Sequence, residues 1–141
     1  MSPRGPTADR GSLEAATEGL ARAWNRLDPE LVAPWLAERV RYTSVDTELV
    51  LEGRDEVLEH LRAKMERIQE VGESARIRAE LGRLPTGGGQ ARPCVISTQG
   101  DRGVPVLFLI HVGTDGYITE IELVTKDPDP RHAIASGEVP D

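Results

Sequence analysis

The chain has 141 residues, 38% hydrophobic and 29% charged, enough for one packed core and short of two. Its 24 acidic and 17 basic residues leave a net charge of −7, which argues against a nucleic-acid or anionic-membrane surface, because both are bound through excess Lys and Arg. A single cysteine, Cys94, excludes an internal disulfide and is too few for a thiolate zinc site; no run approaches 18 apolar residues and the opening MSPRGPTADR lacks the apolar centre of a signal peptide, so a soluble, cytoplasmic protein is expected.

Residues 1–11 carry Pro3, Gly5, Pro6 and Gly11 without apolar periodicity and read as a disordered leader. Ser12 is the expected N-cap of a first helix, with Leu13, Ala16, Leu20, Ala23, Trp24 and Leu27 on one face. Asp28-Pro29 stops that helix and starts a second, which presents Leu31, Trp35 and Leu36 and which Pro34 must bend or shorten. From Val40 the alternation through Tyr42 and Ser44 predicts a strand, and Glu48 to Leu51 a short second one. Gly53 opens a helix with the stripe Val57, Leu58, Leu61, Met65 and Ile68, and Gly72 follows its end.

The rest is β. Ala75, Ile77, Ala79 and Leu81 alternate with polar residues, and Gly87-Gly-Gly89 is a linker lacking the lysine and the following helix of a phosphate loop. The turns at Gly100-Asp-Arg-Gly103 and Thr114-Asp-Gly116 join further strands as hairpins. Strand Val106 to Ile110 is apolar on both sides, so both must be covered. Residues 127–141 read as a polar C-terminal tail. The order predicts an α+β domain over 12–126, with helices on one face of a curved antiparallel sheet.

Trp24-Asn-Arg-Leu-Asp-Pro-Glu30, Trp35-Leu-Ala-Glu-Arg-Val-Arg-Tyr42, Leu51-Glu-Gly-Arg-Asp-Glu-Val57 and the hairpin Val112-Gly-Thr-Asp-Gly-Tyr-Ile118 followed by Glu120-Ile-Glu-Leu123 together carry a family likeness. The chain resembles the nuclear transport factor 2-like superfamily, which includes ketosteroid isomerases and SnoaL-like cyclases. The resemblance implies a cone: a bent sheet wrapped around three helices of the N-terminal half, an apolar pocket inside it, and a homodimer through the convex sheet face. In the isomerases the general base and the two oxyanion donors fall at positions matching Ser44, Leu20 and Phe108 here. None of the three keeps the group that proton abstraction or enolate stabilisation needs, so that chemistry is not expected.

Other polar groups have competing readings. Asp46 shares the parity of Ser44 and is either a general base at the pocket mouth or a turn residue; His60 flanks the helical stripe as an acid–base or as a partly buried, hydrogen-bonded histidine. His111 shares the parity of Leu107 and Leu109 and reads as an interface residue; His132 lies in the tail, and three histidines on separate elements give no metal signal. Cys94, mid-strand beside Pro93, reads as an inert buried thiol. The expected ligand site is Leu20, Trp24, Tyr42, Ser44, Leu61, Phe108 and Leu123, holding a small, mostly apolar molecule with no cofactor. A cyclase, isomerase or hydrolase using Asp46 or His60 as acid–base, and a non-catalytic dimerisation or protein-binding module, are the alternatives. Leu107, Leu109 and Val124 supply the apolar patch for the expected dimer.

Overall fold

A computed structural model describes residues 10–44, 47–85, 91–100, 105–126 and 129–137. The leader before Arg10, Asp46, the Gly87–Gly89 linker and the Asp101–Gly103 part of a turn therefore lie outside the described residues. Helix α1 (Arg10–Arg26) begins two residues before Ser12, so the position expected to precede the helix lies within it. Its buried face is Ala16, Leu20, Ala23 and Trp24, as the spacing predicts.

Asp28 caps the next segment, its carboxylate accepting from the Glu30 N–H, but the second helix is replaced by two successive 3-10 turns, Pro29–Leu31 and Ala33–Trp35. Pro34 is the reason: it has no N–H to give the preceding turn and its ring obstructs a longer helix. Strand β1 (Leu36–Ser44) thus starts four residues before Val40. After β2 (Leu49–Glu52), helix α2 (Arg54–Val71) buries the predicted stripe of Val57, Leu58, Leu61, Met65 and Ile68. Gly72 ends it at φ 95°, a left-handed backbone that a side chain would strain.

Strands β3 (Ile77–Pro85), β4 (Ala91–Gln99), β5 (Val106–Val112) and β6 (Ile118–Val124) form an antiparallel meander, and β1 joins it parallel to β6. A seventh strand, β7 (Ile134–Gly137), lies on the far edge, giving the order β2-β1-β6-β5-β4-β3-β7. Register pairs run Leu49–Ser44–Leu123–Phe108–Val95–Leu81 across the sheet, so these six side chains form one row on one face. That face carries Phe108, Ile110, Ile121 and Val95 into the main core with α1 and α2. The alternation at Phe108 therefore resolves as the sequence predicts.

The outer face differs from expectation. Leu107, Leu109 and Val124 are buried within a single chain at 0%, 5% and 7% exposure, in a second cluster with Leu84 and Cys94. Ile96 and Ala133 pack against that cluster, and Pro130, in the 3-10 turn Pro130–His132, is itself buried. The segment read as a polar tail thus supplies cover and an edge strand, and the bare apolar patch that motivated a dimer is absent. Gly82 makes room for this layer, since a Cβ there would lie 2.4 Å from the Ile96 Cδ1 atom and 3.1 Å from the Ile134 carbonyl oxygen.

Before β7 begins, the open edge of β3 is closed by a side chain. The Asn25 carboxamide accepts from the Ala79 N–H at 2.7 Å and donates to the Ala79 carbonyl at 2.9 Å, which imitates a strand partner and ties the end of α1 to the sheet. Asn25→Ala strands both backbone groups and is expected to lower stability by about 2 kcal/mol, read from the urea midpoint. An unchanged midpoint would show that water replaces the amide at no loss.

Candidate functional site

The interior of the cone contains a cavity of about 450 Å³ between the C-terminal half of α2 and the ends of β3, β4 and β5. Lys64, Arg67, Ile68 and Val71 reach it from α2 at spacings of three and four, so a single helical face forms one wall. Ile77, Ser97, Gln99 and Val106 form the facing wall, and Trp24, Phe108 and Leu123 close the inner end. Trp24 and Phe108 stack with ring centroids 5.5 Å apart and planes 27° from parallel, which makes the inner end aromatic. A second cavity of similar size, bordered by Glu73, Arg76, Arg78 and Thr98, is lined mainly by charged and polar groups and suits an apolar ligand less.

Of the seven expected ligand contacts, Trp24, Phe108 and Leu123 line this cavity. Leu20, Tyr42, Ser44 and Leu61 lie deeper, each no more than 2% exposed and none in the lining. Ser44 is the register neighbour of Leu123, so it stands directly behind the cavity's inner wall. Four buried polar atoms have no hydrogen-bond partner among the described residues: Trp24 Nε1, Tyr42 OH, Ser44 Oγ and His60 Nε2. The Tyr42 and His60 rings are 5.0 Å apart. Buried polar groups ordinarily find a partner in protein or water; of these four only Trp24 belongs to the cavity's lining.

Lys64, Arg67, Val71, Ser97, Gln99 and Val106 are not among the contacts expected from the sequence. Two of them leave a signal there: Val106 shares the strand parity of Phe108, and Val71 continues the α2 stripe one step beyond Ile68, yet is 55% exposed.

Burial, and then the charge of Lys64, lower the His60 pKa from its ordinary 6.5. The fold holds the neutral imidazole, so the unfolded chain takes up the proton first. Stability is fully present above pH 6.5 and is expected to fall as pH drops below it towards the lowered folded value. In urea titrations at about pH 7.5 and 5.5, His60→Gln is expected to show a smaller difference than the parent chain. Equal differences would assign the pH dependence to other groups.

Burial pushes the Cys94 thiol up to about 11, against a weaker opposing pull from Arg92, so the thiolate is scarce at neutral pH. On the outer face, His111 Nε2 lies between the Glu122 carboxylate and the Arg92 guanidinium, 3.2 Å from the latter. His111, Glu120 and Glu122 are the one group among the described residues whose ligating atoms lie within 4.8 Å of one another. The Arg92 cation already occupies the Nε2 side and Thr43 donates to Glu120, so the cluster is accounted for as an ion-pair and hydrogen-bond network. His132 is exposed.

No protein-family model and no curated protein matches the sequence. Solved structures do match. A SnoaL-like protein of unknown function from Burkholderia thailandensis aligns with a TM-score of 0.60 at 15% identity, over 83% of this chain and 96% of its own. A provisionally assigned ketosteroid isomerase from Kribbella flavida aligns at 0.59 and 22% identity, over 82% of this chain and 78% of its own. An epoxide hydrolase of the LEH-like type from Mycobacterium tuberculosis aligns at 0.56 and 17% identity, over 86% and 87%. The α+β cone is therefore the nuclear transport factor 2-like fold, and among the described residues no helix is long and apolar enough to cross a membrane. The fold serves several chemistries, so function has to be argued from the cavity.

Proposed function

We propose that this chain, built on the nuclear transport factor 2-like fold, binds a small, mostly apolar molecule in the cone. The supporting observation is the cavity of about 450 Å³ walled by Ile68, Val71, Ile77, Val106 and the Trp24–Phe108 stack. That volume lies within the ~300–1,000 Å³ of small-molecule sites, and its few polar groups are placed to orient a ligand. The ligand's body lies against the aromatic pair, while Ser97 and Gln99 offer hydrogen bonds from the wall. Of the polar contacts expected from the sequence, Tyr42 and Ser44 take part only where the inner wall opens to a ligand's polar end.

A second reading is an enzyme of the cyclase, isomerase or hydrolase type, with His60 as acid–base. It is favoured by the unpartnered, neutral His60 Nε2 beside the unpartnered Tyr42 hydroxyl. The other candidate, Asp46, lies outside the described residues. A dimer through the outer face, or a role as a dimerisation module, has lost its supporting patch and would need light scattering at twice 15.4 kDa.

The test is binding of N-phenyl-1-naphthylamine, a neutral probe that fluoresces in apolar sites. A saturable signal is expected from the parent chain, and its loss from Val106→Trp, which fills the cavity from a partly exposed position. Equal signal from a folded Val106→Trp variant would place the probe elsewhere and overturn the reading.

A further inference from the structure

The cavity's charge runs against that of the chain as a whole. In a molecule with 24 acidic and 17 basic residues, the lining contains Lys64 and Arg67 and no acidic side chain. Both cations are exposed on α2, and no ion pair holds either of them among the described residues. Lys64 and Arg67, three residues apart on α2, both belong to the cavity's lining and so share the cavity side of the helix. The opposing influence is the C-terminal end of α2, worth about half a negative charge and confined to the last turn. Glu66 and Glu70 share these turns but lie outside the lining, so within the lining the two cations outweigh the helix end.

From this arrangement we infer that the cavity selects amphipathic anions: molecules with a flat apolar body and a single carboxylate, the body against Trp24 and Phe108 and the carboxylate at the mouth between Lys64 and Arg67. The inference rests on the ligand-binding reading and narrows it to a chemical class. The apolar walls supply most of the affinity, because exposed ion pairs contribute little by themselves. The two cations supply the choice between an acid and its neutral counterpart, and they do so more strongly at the edge of an apolar cleft than on an open surface. An apolar cation meets the same walls but is repelled at the mouth.

The experiment compares 2-naphthoate, 2-naphthamide and 2-naphthylmethylammonium, three ligands sharing one ring system, by quenching of tryptophan emission at about 20 mM salt. Naphthoate is expected to bind on the order of tenfold more tightly than the amide, with the ammonium weakest of the three. The ratio of acid to amide is expected to fall below about threefold in Lys64→Gln/Arg67→Gln, and likewise in about 0.5 M salt. N-phenyl-1-naphthylamine, which has no charge to lose, should weaken far less than naphthoate in that double variant, although both residues line the cavity. Equal binding of acid and amide, with N-phenyl-1-naphthylamine still bound, overturns the anion preference and leaves the cavity reading standing. Failure of all four probes overturns both.

Discussion

Phe108→Asp is expected to lower stability by roughly 4–6 kcal/mol, a large part of what a domain of this size possesses. Phe108 is 3% exposed, stacks on Trp24, and sits mid-row between Leu123 and Val95 on the face that meets the helices. The substitution removes a buried ring and puts a carboxyl into an otherwise apolar row between Leu123 and Val95. The acid would be held neutral, which limits the loss without abolishing it. Phe108→Leu, which keeps most of the volume, is expected to lose about 1–2 kcal/mol, and the urea midpoints of the pair give the comparison. A loss below about 1 kcal/mol for the aspartate would mean that the row opens to water. No isomerisation of a Δ5-3-ketosteroid is expected from the parent chain or from any folded fraction of Phe108→Asp, because Leu20 and Ser44 still lack the donor and the base. Turnover by the parent chain would overturn that argument.

Deleting residues 127–141 is expected to lower the melting temperature by roughly 5–10 °C, corresponding to about 2–3 kcal/mol for a chain of this length. The loss has two sources. One is the pairing of β7 with Leu81, Gly82 and Arg83. The other is the cover that Ala133 gives to the cluster of Leu84, Cys94, Leu107, Leu109 and Val124. Cys94 provides an independent readout: in the full chain it is buried, its thiol is pushed up to about 11, and it should react slowly with a disulfide reagent at pH 8. The truncated chain should react several-fold faster. Retention of both the melting temperature and the slow reaction would mean that the segment rests on the sheet without stabilising it.

The parts of the fold legible in the sequence are those where a residue's neighbours are set by period. The stripe of α2 and the alternation around Phe108 depend on 3.6- and 2-residue repeats, and both resolve as read. The second helix was not legible as two 3-10 turns, because its apolar spacing is helical and only Pro34 argues otherwise. β7 was less legible still: its large apolar residue, Ile134, is 64% exposed, and the strand is held by backbone hydrogen bonds that leave no pattern in side chains. The site was half legible for a similar reason. Phe108 and Leu123 follow from strand parity, and Trp24 from the apolar spacing of α1. Lys64, Arg67 and Gln99 line the cavity only because α2 ends where the sheet opens, and no local period records that.

The parallel pairing of β1 with β6 has a consequence for how the chain reaches this structure. The two strands meet through pairs such as Tyr42–Ile121 and Ser44–Leu123, yet nearly the whole meander is synthesised between them. A nascent chain that has emerged only as far as β4 has α1, α2 and β1 but nothing to pair with β1's inner edge. Contacts so distant along the chain form slowly, since the intervening loop must close before they are rewarded. Until β6 leaves the ribosome, Val40 and Tyr42 sit on an open strand edge available to other chains. Production yield should therefore respond more to variants of the β5–β6 hairpin, which completes the sheet, than to equally destabilising variants on the β7 edge.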